Sequence, residues 1–114
     1  MIPVEQTFLS GYRLMWMMVM FDLPVVEKKE RRAATRFRNY LQDEGFQMAQ
    51  FSVYYRLLSG KEAVESLLKR IEGHVPPQGV VQVITITDKQ YENISTFRNR
   101  SPESQEKPDQ LALF

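Results

Sequence analysis

The chain has 114 residues, of which 43% are hydrophobic and 25% are charged, and its formal net charge is +1. This size and composition indicate one globular domain. The net charge shows no global excess of basic residues that would indicate binding to nucleic acid. The absence of cysteine excludes disulfides and thiolate zinc sites, and no apolar run approaches the roughly 20 residues that cross a bilayer, so we expect a cytoplasmic protein.

The first element is an unbroken apolar run followed by a lone acid. Residues 1–12 show no clean hydrophobic period and are predicted to be an N-terminal extension. Residues 13–21 are apolar on both faces, which predicts a strand at the centre of a sheet. The run ends in Asp22, and Pro24 makes further continuation of the strand unfavourable.

Residues 26–44 have the period of an amphipathic helix. The apolar positions at helical spacing are Val26, Ala33, Ala34, Phe37, Tyr40 and Leu41. Bases crowd the opposite face, which carries Lys28, Lys29, Arg31, Arg32, Arg36 and Arg38. This is the most basic segment of the chain, and Gly45 is a plausible end for the helix.

The rest of the chain alternates between strand and helix patterns. Residues 46–60 are aromatic and β-branched enough for strand, but long enough to need a bend or tight hairpin near Gln50. Residues 61–71 predict a second amphipathic helix, residues 80–87 a strand, and residues 88–97 a short helix or turn. His74 falls in a loop rich in glycine and proline, where a solvent-facing role is expected.

This order predicts an α+β fold. A ferredoxin-like βαββαβ domain over residues 13–97 satisfies it, with an antiparallel sheet and two helices on one sheet face. The other face would remain apolar and open, so we expect a homodimer that forms through it. Residues 98–114 predict a flexible tail that ends in an apolar docking segment.

Two roles are open for Asp22 at the end of the first strand. A carboxylate just before a helix can be an N-cap that accepts backbone N–H groups. Alternatively, it is a metal ligand, since Mg²⁺ prefers oxygen ligands and keeps several waters. One carboxylate per chain makes a poor site, but two copies facing each other across a dimer axis would make a better one.

Four motifs in this order resemble the CRISPR-associated protein 2 family, from about Met15 to Ile94. The apolar strand ends in "FDLP" (21–24), and the basic helix ends in "FRNYLQDEGF" (37–46). "QFSVY" (50–54) is similar to the family's second-strand signature, and "ITDKQYENI" (86–94) looks like the form found in type II systems.

The resemblance implies a ferredoxin-like homodimer that works in spacer acquisition. In that family the dimer bridges dimers of the integrase subunit, CRISPR-associated protein 1, and holds the captured spacer-precursor DNA duplex. Some members are described as endonucleases that act on RNA or duplex DNA with Mg²⁺ or another divalent cation. The proposed catalytic and metal-binding acid then maps onto Asp22. We favour the bridging role, because no second catalytic group has an obvious place.

Two groups of residues are expected to contact partners. The predicted nucleic-acid contacts are Lys28, Lys29, Arg31, Arg32, Arg98 and Arg100, which would give affinity without reading bases. The predicted docking residues in the tail are Gln110, Leu111, Leu113 and Phe114. By the resemblance, the tail would dock on the integrase subunit as an added edge strand. The pentapeptide "QLALF" also looks like a motif that binds the bacterial sliding clamp.

Overall fold

The structure is a computed structural model that describes residues 13–99. Its four strands are β1 (Leu14–Asp22), β2 (Gln47–Gln50), β3 (Val53–Ser59) and β4 (Val80–Thr87). Its three helices are α1 (Lys28–Asp43), α2 (Lys61–Glu72) and α3 (Asp88–Glu92). Among these residues no helix is long and apolar enough to cross a membrane. The extension 1–12 and most of the tail lie outside the described residues.

The strands form one antiparallel sheet in the order β2-β3-β1-β4. This order places β1 at the centre, as its apolar sequence predicts. The connections β1-α1-β2-β3-α2-β4 give the ferredoxin-like βαββαβ arrangement, so the predicted fold class is confirmed. The hairpin expected near Gln50 is the turn at Phe51 and Ser52 between β2 and β3.

Both long helices pack on the same face of this sheet. Met17, Val19 and Phe21 of β1 point towards them and are buried. They form one core with side chains of both helices and of β3: Phe37, Leu41, Tyr54, Leu58, Leu67 and Ile71. Aromatic contacts extend through it, since the Phe21 ring meets that of Phe37 edge-on with 5.2 Å between centroids. Burying each large side chain contributes about 1.5–3 kcal/mol.

The alternate side chains of β1 form the opposite, open face of the sheet. Met18 lies between Tyr55 and Ile84 in the register, and Met20 lies between Val53 and Gln82. At one end α3 covers this face, where the Trp16 and Tyr91 rings stack with centroids 3.8 Å apart. Trp16 Nε1 also donates to Asp88 Oδ1 at 2.7 Å.

The beginning of α1 differs from the prediction. The helix starts at Lys28, and the Glu30 carboxylate accepts the backbone N–H groups of Val26 and Glu27 at 3.0 and 2.8 Å. The N-cap is therefore Glu27, and the N-cap interpretation of Asp22 is wrong. Val26 was placed on the buried helix face, but it precedes the helix and is 84% exposed.

Candidate nucleic-acid interface and the Asp22 end

Asp22 closes β1 on the open face of the sheet. Its alternation with Met18 and Met20 puts it on that side, and its partner in β4 is Val80. Gly79 holds the backbone here in a left-handed conformation, with φ of 96°. A Cβ on Gly79 would lie 2.7 Å from the Asp22 carbonyl oxygen, so only glycine permits this approach. The Asp22 carboxylate is exposed.

One chain does not by itself provide a magnesium site at Asp22. Across residues 13–99 no three histidine, aspartate or glutamate side chains converge on one point. Mg²⁺ accepts one or two carboxylates and completes its shell with water or substrate oxygens. Within the described residues a single copy offers the Asp22 carboxylate alone, so a second copy, water or substrate oxygens would have to supply the remaining ligands.

The exposed side of α1 carries a row of bases. Lys28, Arg32 and Arg36 follow one another at intervals of four residues, so they project along one line of the helix. They line a shallow surface recess together with Arg31 and Thr35. Within the described part of the chain these three side chains make no ion pair. We call Lys28, Arg32 and Arg36 the basic stripe.

The other predicted contact residues are distributed differently. Arg31 is exposed, but its Nη1 donates to the carbonyl oxygens of Val25 and Val26 at 3.1 and 2.7 Å, which ties the preceding loop to α1. Lys29 lines a separate apolar groove beside Pro24. Arg98 is exposed, beyond α3. Arg100 and the tail residues Gln110, Leu111, Leu113 and Phe114 lie outside the described residues.

The sequence analysis did not single out two residues of α1 as parts of a candidate site. Arg36 extends the basic stripe, and its spacing from Lys28 and Arg32 is the signal that could have revealed it. Arg38 seemed to be another solvated base, yet it is half-buried and packs under the β2–β3 turn. Its guanidinium carbon lies 4.9 Å from the Phe51 ring centroid and 5.9 Å from that of Phe21. We call Arg38 and Phe51 the aromatic corner.

The guanidinium of Arg38 has no hydrogen-bond acceptor among residues 13–99, and its Nε is buried. A buried donor without a partner is costly, and arginine has five N–H donors in a rigid fork. Phe51 is 79% exposed, which is a large fraction for a phenylalanine. The aromatic corner therefore combines an unpaired cation with an exposed ring.

At the far end of α1 the Glu44 carboxylate is paired with arginine instead. Glu44 Oε2 and Oε1 accept from Arg70 Nε and Nη2 at 2.7 and 2.9 Å, and Tyr40 donates its hydroxyl to Glu44 at 2.9 Å. Arg56 Nη1 approaches the same carboxylate at 3.8 Å. The His74 ring stacks on Tyr40 with 3.7 Å between centroids. We call Tyr40, Glu44 and Arg70 the latch.

The latch shifts the ionisation of its members. The hydrogen bonds from Arg70 are the main cause that lowers the pKa of Glu44, although burial opposes them. Burial is the first cause that raises the pKa of Tyr40 to about 12, with the Glu44 acceptor adding to it. A charged Glu44 and a neutral Tyr40 are thus the stable pair, which fits a structural link between α1 and α2.

Comparisons with known proteins agree on one family. The family model described as CRISPR associated protein Cas2 matches residues 15–94. A protein named CRISPR-associated endoribonuclease Cas2 from Paracidovorax avenae is 53% identical over 107 residues, which cover 93% of this chain and 99% of the relative. One of the same name from Flavobacterium psychrophilum is 43% identical over 115 residues and covers both chains fully. A third, from Acidovorax ebreus, is 44% identical over 103 residues, or 88% of this chain and all of the relative.

Proposed function

The chain belongs to the CRISPR associated protein Cas2 family, and from this premise we propose that it acts in the cytoplasm as a nucleic-acid-binding subunit of spacer acquisition. In this role a homodimer holds spacer-precursor duplex DNA and bridges dimers of the integrase subunit. The basic stripe is the observation that carries the proposal. Its three cations face solvent without a protein anion among the described residues, so they are available to phosphates.

The basic stripe suits sequence-independent binding. Lysine and arginine along one helix side contact the phosphate backbone, which supplies affinity and orientation but no base specificity. Each neutralised phosphate releases condensed counterions, so binding weakens with salt by a logarithmic slope of about −0.9 per contact. A net charge of only +1 is compatible with this, because the bases are concentrated on α1.

The open sheet face supports the homodimer in this proposal. Leu57, Val80 and Ile84 are 43%, 57% and 46% exposed, and all three lie on that face beside the methionines of β1. An exposed apolar area of this kind is typical of an interface. A twofold dimer would double the number of stripes available to one duplex, which is what a bridging subunit needs.

Salt-dependent binding to duplex DNA tests the proposed function. We expect the triple variant Lys28→Gln, Arg32→Gln, Arg36→Gln to bind a labelled duplex more weakly, with a salt slope smaller by about 3 for each stripe that lies on the duplex, if each base contacts one phosphate. Lys61→Gln with Lys69→Gln on α2 is the control, which removes two exposed charges away from α1 and should leave the slope unchanged. An unchanged slope in the α1 variant would place the DNA elsewhere.

A second candidate function is metal-dependent endonuclease activity. Three relatives carry endoribonuclease in their names, and Asp22 lies on the face through which two copies would meet. In that arrangement Asp22 of each copy would hold Mg²⁺ or another divalent cation, which would activate water towards a phosphodiester of RNA or duplex DNA. Asp22→Asn separates the functions: we expect spacer acquisition to survive, whereas the nuclease candidate requires any Mg²⁺-dependent cleavage to be lost.

The tail is proposed to dock on a partner protein. Residues 110–114 are expected to bind the integrase subunit, and the sliding clamp is the alternative receiver. Deleting 110–114 should leave the domain folded and weaken binding to the integrase subunit in a pull-down. If that binding is unaffected and clamp binding is lost instead, the clamp is the partner.

A further inference from the structure

We propose that the aromatic corner, Arg38 with Phe51, binds one unpaired nucleotide, so that the domain has a single-strand subsite separate from the basic stripe. This inference rests on the proposed nucleic-acid binding and adds to it a contact with an unpaired nucleotide outside the basic stripe. The Phe51 ring would stack on the base, and the Arg38 guanidinium would donate to the adjoining phosphate.

The first step concerns the position of Phe51. It occupies the β2–β3 turn next to Ser52, whose φ of 70° is left-handed and unfavourable for a residue other than glycine. The Ser52 carbonyl oxygen accepts the Phe21 backbone N–H at 3.1 Å, which fixes the turn to the central strand. The exposed ring is therefore held at a defined place, and strained turns are typical of functional sites.

The second step concerns the Phe51 ring itself. One side lies under the Arg38 guanidinium, while 79% of the residue remains exposed. An aromatic face in solvent can stack on any base, and such stacking does not depend on sequence. The bases inside a continuous duplex are already stacked on one another, so away from the duplex ends a free face belongs to an unpaired nucleotide.

The third step concerns charge. The Arg38 guanidinium carbon lies 4.9 Å from the Phe51 ring centroid and 5.9 Å from that of Phe21, and no acceptor from residues 13–99 occupies its donors. Guanidinium is the side-chain group best matched to phosphate, because it offers paired parallel donors.

Binding measurements on the full chain test this subsite. The probes are a labelled 12-nucleotide oligouridylate, an oligothymidylate of the same length and a blunt duplex. Phe51→Ala should weaken binding of the single strands about 5- to 100-fold, as expected for the loss of one base–aromatic stack. Its effect on the duplex should stay below about twofold, and Phe51→Tyr, which keeps the ring, should bind both single strands like the parent.

The variant Arg38→Gln tests the proposed phosphate contact independently. The salt slope for the single strands should fall by about 0.7, which is the value for one phosphate contact on a single strand. The duplex slope should not change. A larger loss for oligouridylate than for oligothymidylate assigns the subsite to RNA, and equal losses assign it to either strand type; both outcomes support an unpaired nucleotide.

Three outcomes overturn the inference. One is single-strand affinity in Phe51→Ala within twofold of the parent, and another is an equal loss on the duplex. The third is a change in sedimentation mass without a change in single-strand affinity, which would make Phe51 a protein contact. A parent that binds the duplex but no single strand refutes this inference alone, whereas a parent that binds neither refutes the proposed function as well.

Discussion

The latch and the aromatic corner each contain an arginine beside aromatic rings, but they treat its charge in opposite ways. Arg70 donates to both Glu44 oxygens and to Ser66 Oγ. Arg38 rests against two rings and has no acceptor in the described part of the chain. A guanidinium whose donors are satisfied internally joins the elements of the fold. One whose donors remain unused is available to a ligand from outside.

The largest expected effect on stability comes from a substitution beside Asp22, at the end of the molecule away from the latch. Gly79→Ala would place a Cβ 2.7 Å from the Asp22 carbonyl oxygen at a φ of 96°, so we expect a loss of about 2–4 kcal/mol in the free energy of unfolding. Gly73→Ala beside His74 is the control, because its nearest contact would be an ordinary 3.6 Å. Urea denaturation of both variants measures the difference, and equal losses would contradict this account of Gly79.

The next prediction compares stability and nucleic-acid binding in variants of the latch and of the aromatic corner. Glu44→Gln should cost about 1–3 kcal/mol of stability, since it weakens charge-assisted hydrogen bonds, and should leave nucleic-acid affinity unchanged. Arg38→Gln should cost at most about 1 kcal/mol through its lost ring contacts, yet weaken single-strand binding. Denaturation and binding assays on the same preparations compare them, and the comparison fails if Glu44→Gln alters binding or Arg38→Gln is the less stable.

The stabilisation that Glu44 contributes through the latch should decrease as the pH falls. The pKa of Glu44 is lowered from 4.5 on folding, so its stabilisation is fully present above about 4.5 and is lost as the pH falls through the lower folded value. In Glu44→Gln this contribution to the acid limb should disappear. Thermal unfolding of parent and variant between neutral and acid pH checks it, and parallel curves would show that Glu44 does not carry the dependence.

The smallest expected effect concerns the Tyr40 hydroxyl. Tyr40→Phe removes one hydrogen bond to Glu44 and should cost about 0.5–1.5 kcal/mol. Because the folded pKa is raised from 10.0 to about 12, the stabilisation is present below pH 10 and is lost as the pH rises towards 12. An ultraviolet titration should lose one late-titrating tyrosine on going from the parent to Tyr40→Phe, and an unchanged number of late tyrosines would assign the shift to another ring.

The sequence was sufficient for the fold because its elements are defined by local patterns. The β-branched run over residues 80–87 gives β4 with its observed bounds, and the length of the segment around Gln50 requires the hairpin. The residue at which α1 starts was harder to predict from the sequence. The pattern does not show that Glu30 reaches back to the N–H groups before the helix, so Val26 and Asp22 were assigned roles in the helix start that they do not have.

The candidate site was predictable only in part, for a physical reason. Bases spaced by four residues fall on one helix side, so the position of Lys28 and Arg32 followed from the sequence alone. Arg38 did not, because its burial depends on Phe51, which arrives from a turn 13 residues later. The latch similarly joins Glu44 to Arg70 across 26 residues, and no local period encodes such a contact.

The stack of Trp16 on Tyr91 makes the open face visible by fluorescence. Trp16 is the only tryptophan of the chain, and its indole is in contact with a phenol ring, with its N–H bonded to the Asp88 carboxylate. Indole emission depends on such neighbours, so the wavelength of its emission maximum and its intensity indicate whether α3 stays packed on the sheet. An unlabelled sample diluted in a cuvette therefore shows whether a second copy settles beside α3 or displaces it.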